Sequence, residues 1–180
     1  MFQRLFRRDR NADVAITEAL YASIVAAARQ EVFYADWQVP DTPLGRFEMV
    51  SLHMFLFQHR MRLEQGAPRD IAQILIDEFF KDVDHSLREL GVGDMGVPKR
   101  MKKLARMYYG RTAAYSDALE RDDRQALGAA LARNIRPDSG AWPQAAQLAD
   151  YVAGANAALA AQSAETISGG SISFPAPQAA

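Results

Sequence analysis

The sequence predicts an all-α protein, a single-domain helical bundle of about six helices. Apolar residues recur at three- and four-residue spacing through most of the chain, the mark of helices with one buried face. The periodic stretches are divided by short breaks rich in glycine and proline. No stretch shows the sustained apolar–polar alternation of a half-buried strand. At 180 residues the chain suits one domain, and folding at this length buries about 70% of the surface exposed by the unfolded chain.

Residues 1–13 read as a basic amphipathic leader. Wound as a helix, it places Phe2, Leu5 and Phe6 on one face, with Arg4, Arg7 and Arg8 among them. Those six are the membrane-contact candidates, because such a helix can lie on an anionic bilayer. Docking on its own domain is the structural alternative. A first helix is expected from about Val14 to Ala35 on Ile16, Leu20, Ile24, Ala28 and Phe33. Two prolines and a glycine make residues 39–45 a turn, in which Asp41 is the expected cap of the next helix and Arg46 bridges to a carboxylate elsewhere. The second helix, about Arg46 to Glu64, is apolar nearly all round between Phe47 and Phe57, which makes it central.

After Gly66-Ala67-Pro68 a third helix runs to about Leu90, where Gly91 ends it in a left-handed conformation. Pro98 suits the first turn of a fourth helix, which carries Met101, Leu104 and Tyr108 and continues to about Leu119. A fifth helix is expected from about Asp123 to Ile135 and an alanine-rich sixth from about Trp142 to Ala161. Residues 14–161 thus form the helical domain, and residues 162–180, low in complexity, are expected to be a flexible C-terminal tail.

Composition narrows the function classes. A net charge of −1 gives no field favouring nucleic acid. The absence of cysteine rules out disulfides, thiolate metal sites and cysteine nucleophiles, and fits a reducing compartment. No apolar run approaches the ~18 residues of a spanning helix, so the expected location is cytoplasmic, with peripheral contact at the inner face of the cytoplasmic membrane left open. Catalytic patterns are missing: there is no Gly-x-Ser-x-Gly and no phosphate-binding glycine loop after a strand. Asp82 and His85 give one Asp-x-x-His, short of the paired Glu-x-x-His of a di-iron bundle. His53 reads as a satisfied core histidine, and no cofactor or metal is expected. The reading is non-enzymatic.

The density of special-purpose residues peaks between Asp82 and Gly110: an acidic helix end, a loop with Gly91, Gly93 and Gly96, and a strongly basic helix start. The acidic residues Asp77, Glu78, Asp82 and Asp84 fit intrahelical pairing on a solvated face. Lys99, Lys102, Lys103 and Arg106 share one helical stripe, with Arg100 and Arg111 nearby. Three readings of that stripe stand: pairing with the acidic third helix, contact with a partner protein or anionic lipid, or contact with RNA.

Specific residues carry a family resemblance. They are Val39-Pro40-Asp41-Thr42 with Gly45-Arg46-Phe47, Leu52-His53, Asp82 and Asp84. The run from Leu87 to Asp94, Val97 to Lys103, Tyr109-Gly110-Arg111 with Tyr115, and Arg133-Asn134 complete the set. Over residues 18–135 the chain resembles the ubiquinol–cytochrome c chaperone family. The resemblance implies a non-catalytic assembly factor for the ubiquinol–cytochrome c reductase (complex III) that holds newly made cytochrome b or another subunit. It also implies a small partner protein or the ribosome as further contacts, with no specific nucleic acid. Taken with the residue pattern, it makes Arg88, Glu89, Asp94, Lys99 and Arg100 a polar partner-facing surface, extended by Lys102, Lys103 and Arg106. Val92, Met95 and Val97 are the expected exposed apolar contacts on it. Two rival classes are a small-ligand or haem-binding helical protein using His53 or His59, and a ribosome- or RNA-contacting module.

Overall fold

The computed structural model describes residues 2–138 and 140–178, with side chains from Asp13 onward. Every regular element among them is helical: α1 (Phe2–Ala28), α2 (Glu31–Ala35), α3 (Pro43–Met61), α4 (Ala67–Glu89), α5 (Val97–Glu120), α6 (Arg124–Ile135), α7 (Ala145–Ala160) and α8 (Ala164–Ser168). The all-α bundle expected from periodicity is the observed architecture.

The apolar second helix of the sequence is α3, and it occupies the centre. It packs against α1, α4, α5, α6 and α7, and Met49, Leu52, Met54, Leu56 and Phe57 along it are at most 1% exposed. A helix surrounded on all sides needs an apolar surface on all sides, which explains its missing amphipathicity. Its methionines are core: Met49 and Met54 are fully buried and Met61 is 2% exposed. Thr42, not Asp41, caps it: the Thr42 Oγ1 accepts from the Gly45 N–H at 3.1 Å. Asp41 instead pairs with Arg46 at 2.6 Å across the exposed first turn, so the carboxylate sought for Arg46 is the neighbouring one. A Cβ on Gly45 would stand 1.9 Å from the Pro40 carbonyl oxygen, so only glycine lets the turn fold back on the helix.

Two boundaries differ from the periodicity reading. The helix expected over 14–35 breaks at Arg29–Gln30, where Gln30 is extended, and restarts as α2. The leader and first helix are one element, α1, which begins at Phe2; the side chains of Phe2, Arg4, Leu5, Phe6, Arg7 and Arg8 lie outside the described residues. The break turns Phe33 and Trp37 inward onto an aromatic cluster, with Phe33 ring centroids 5.0 Å from Tyr151 and 5.6 Å from His53.

Residues 162–178, within the stretch expected as a flexible tail, are folded. Ser163 caps α8 by accepting from the Thr166 N–H at 3.0 Å. Ile167 is fully buried, Ile172 is 8% exposed, and Phe174 meets the His53 ring edge-on at 5.3 Å. The Gln162 amide clasps the backbone of Ser173, donating to its carbonyl at 2.8 Å and accepting from its N–H at 2.9 Å. Arg60 on α3 closes the end of α7, donating to the carbonyls of Leu159 and Gln162. Three well-spaced apolar side chains suffice to fix a segment whose average composition reads as disordered.

Candidate interaction surface

The Asp82–Gly110 region forms one corner of the molecule, where α4 ends, the chain turns and α5 begins. Gly91 has φ +79°. Its N–H donates to the Arg88 carbonyl at 2.9 Å and the Val92 N–H to the Leu87 carbonyl at 3.0 Å, the paired bonds of a Schellman end. Arg88 pins the following loop to the helix, binding Asp84 at 2.7 Å and Asp94 beyond the turn. Glu89 meets His85 at 3.2 Å. Arg88, Glu89 and Asp94 are therefore exposed but already engaged with neighbours.

The cations of α5 are not. Lys99, Arg100, Lys102, Lys103 and Arg106 are all exposed, and none has a carboxylate partner within 4.0 Å among the described residues. Pairing with the acidic helix, one of the three readings of the stripe, does not occur. The α4 acids are satisfied locally: Glu78 by Lys81, Asp84 by Arg88, and Asp82 by the Tyr21 hydroxyl at 2.8 Å. Arg111 leaves the stripe altogether and turns inward to pair with the buried Glu48.

The position of these cations is energetically adverse. α5 has no acidic residue in its first turn, while the positive end of the helix dipole lies there. Charges such as Lys99 and Arg100 at that end oppose the dipole by about 0.3–1 kcal/mol each. Beside them Met95 is 96% and Leu90 60% exposed. Val97 is 1% exposed, which corrects its assignment as a surface contact: it is the first residue of α5 and is buried there. Val92 is half-buried. Leu90, not among the contacts expected from sequence, is exposed at the C-cap of α4, where the chain turns at Gly91.

A second feature had no signal in the sequence. An open cavity of about 430 Å³ lies where α3, α4 and α5 meet, with Phe55, His59, Arg62, Ile76, Tyr108 and Tyr109 in its walls. On α5, Lys102, Arg106, Tyr109 and Ala113 fall at i, i+4, i+7 and i+11, so the basic stripe and the cavity wall share one ridge.

His53 has neither ring nitrogen free. Nδ1 lies 2.8 Å from the Met49 carbonyl and Nε2 2.8 Å from the Tyr151 hydroxyl, and the residue is fully buried. That geometry removes His53 from the two histidines, His53 and His59, on which the haem-binding alternative drew. His59 reaches the cavity, 3.3 Å from the Ser116 hydroxyl, and burial lowers its pKa.

The frog (Xenopus laevis) ubiquinol–cytochrome-c reductase complex assembly factor 1 is 24% identical over 116 residues, covering 64% of this chain and 58% of that protein. The human assembly factor 1 is 28% identical over the same length, which is 38% of it. The chain thus spans well under two thirds of these relatives. A crystal structure of the Cbp3 homolog from Brucella abortus superposes with a TM-score of 0.90 at 59% identity, over 97% of each chain. The ubiquinol–cytochrome c chaperone model matches residues 35–174. Its match runs through α7 and the folded C-terminal segment, well past Asn134 where the quoted motifs end, so those parts belong to the common fold. With most of its length matched, this chain belongs to the ubiquinol–cytochrome c chaperone family.

Proposed function

We propose that this protein is a non-catalytic assembly chaperone for the ubiquinol–cytochrome c reductase, and that it holds newly made cytochrome b. The family and the assembly-factor relatives supply the process. One observation carries the choice of surface: exposed, unpaired cations stand at the end of α5 where its dipole opposes them, next to exposed Met95 and Leu90. Charges kept at a cost to stability are the kind retained for binding. The same stripe suits anionic headgroups and supports peripheral contact with the inner face of the cytoplasmic membrane. Among the described residues no helix is long and apolar enough to cross a bilayer.

A tagged copy purified from solubilised membranes and read by mass spectrometry tests this. Cytochrome b is expected to be enriched, and to be lost when Lys99, Arg100, Lys102 and Lys103 are together replaced by glutamine, with helical circular dichroism unchanged. Undiminished cytochrome b in that variant, or a variant that unfolds, refutes the assignment of the surface. Recovery of nucleic acid with steep salt dependence instead of cytochrome b refutes the client.

A further inference from the structure

A polar cluster lies buried between α3 and α5, apart from the basic surface. Glu48 is 3% exposed, Ser51 5% and Tyr108 3%. Glu48 Oε2 accepts from Arg111 Nη1. The other carboxylate oxygen, Oε1, has no protein partner among the described residues, and neither does Ser51 Oγ or the Tyr108 hydroxyl. Buried polar atoms of native proteins are nearly always hydrogen-bonded, so three orphans in one place require an explanation.

All three belong to residues lining one small cavity, whose walls come from α3 and α5 alone. Its volume is about 10 Å³, close to the lower bound of roughly 10–15 Å³ for holding one water molecule. Nothing larger fits. A buried water typically makes about three hydrogen bonds, and the three unpaired groups belong to residues that line this space.

We propose that this cavity binds one water molecule, bridging Glu48 Oε1, Ser51 Oγ and the Tyr108 hydroxyl. Each orphan finds a partner: the Tyr108 and Ser51 O–H groups both donate to the water oxygen, and the water gives a hydrogen to Glu48 Oε1, three hydrogen bonds in all. Burial pushes the Glu48 pKa up to about 7, against the lowering effect of Arg111. Hydrogen bonding to Oε1 acts with Arg111 in favour of the carboxylate. The other titratable groups lining the cavity, Arg111, Tyr108 and Tyr115, all come from α5. The bound water thereby completes the ion pair that fastens α5 to the central helix, and α5 is the helix that presents the basic stripe.

A crystal structure of the full chain at atomic resolution reads the site directly. The expected result is a single solvent peak about 2.6–3.2 Å from all three atoms. No peak there, or a Ser51 or Tyr108 hydroxyl turned directly onto Glu48 Oε1, overturns the proposal. An independent readout is the carboxyl carbon-13 titration of Glu48. Removing two of the three anchors in Ser51→Ala/Tyr108→Phe should raise its midpoint by about one pH unit; an unchanged midpoint overturns the proposal, and the crystal readout stands even if that variant fails to fold.

Discussion

His53 lies wholly inside the molecule with both nitrogens committed. A carbonyl only accepts, so Nδ1 carries the proton towards Met49 and Nε2 accepts from the Tyr151 O–H. Burial lowers its pKa to about 4, outweighing the opposing effect of the Met49 hydrogen bond. Because the folded-state value lies below the ordinary 6.5, this histidine's contribution to stability is complete above that pH and is lost as pH falls through about 4. Proton NMR of the His53 ring should show no titration between pH 8 and 5; a midpoint near 6.5 would contradict the buried neutral tautomer. Tyr151→Phe leaves Nε2 unpaired in the core and should cost about 1–3 kcal/mol in urea unfolding. The sequence pointed to a core histidine at position 53. Its partners, 98 residues away at Tyr151 and far along the chain at Phe174, belong to tertiary structure that no local pattern encodes.

The elements were legible where one physical rule dominated. α3 was readable as the central helix because its whole circumference is apolar, and α4 ended at the left-handed Gly91 as its glycine foretold. The rule failed where two side chains competed for one job. Asp41 and Thr42 are both capable caps; Thr42 takes the role, which frees Asp41 for Arg46. Gly45→Ala should abolish folding or remove most of the thermal stability, since its Cβ would overlap the Pro40 carbonyl. Lys99→Glu/Arg100→Glu should do the reverse. Two acids at the positive end of α5 replace two cations there, and the melting free energy should rise by roughly 1–2 kcal/mol while client capture falls. A variant that gains stability and keeps its client would separate the stripe from binding.

At the scale of the whole molecule, the fold is a bundle closed by the segment after α7, residues 162–178. Composition marked residues 162–180 as mobile, and averaging hid Ile167, Ile172 and Phe174, which are buried or packed on the core. Truncation after Ala161 should lower stability by more than about 3 kcal/mol, given roughly 1.5–3 kcal/mol for each large apolar side chain buried; an unchanged chemical-denaturation midpoint would show that the segment is a passenger. The cavity at the α3–α4–α5 junction was illegible because it exists only where side chains of three successive helices meet in space, which no local pattern encodes. The basic stripe was legible as a stripe, but only the structure distinguishes its unpaired members from Arg111, which is spent on Glu48.

The most direct test of the account is photo-crosslinking in living cells, with a benzoyl-phenylalanine placed at Met95 beside the α5 cations or at exposed Ala157 on α7. A crosslink to cytochrome b is expected from position 95 and none from position 157. Crosslinks from 157 alone, or from neither position in cells assembling the complex normally, would contradict it.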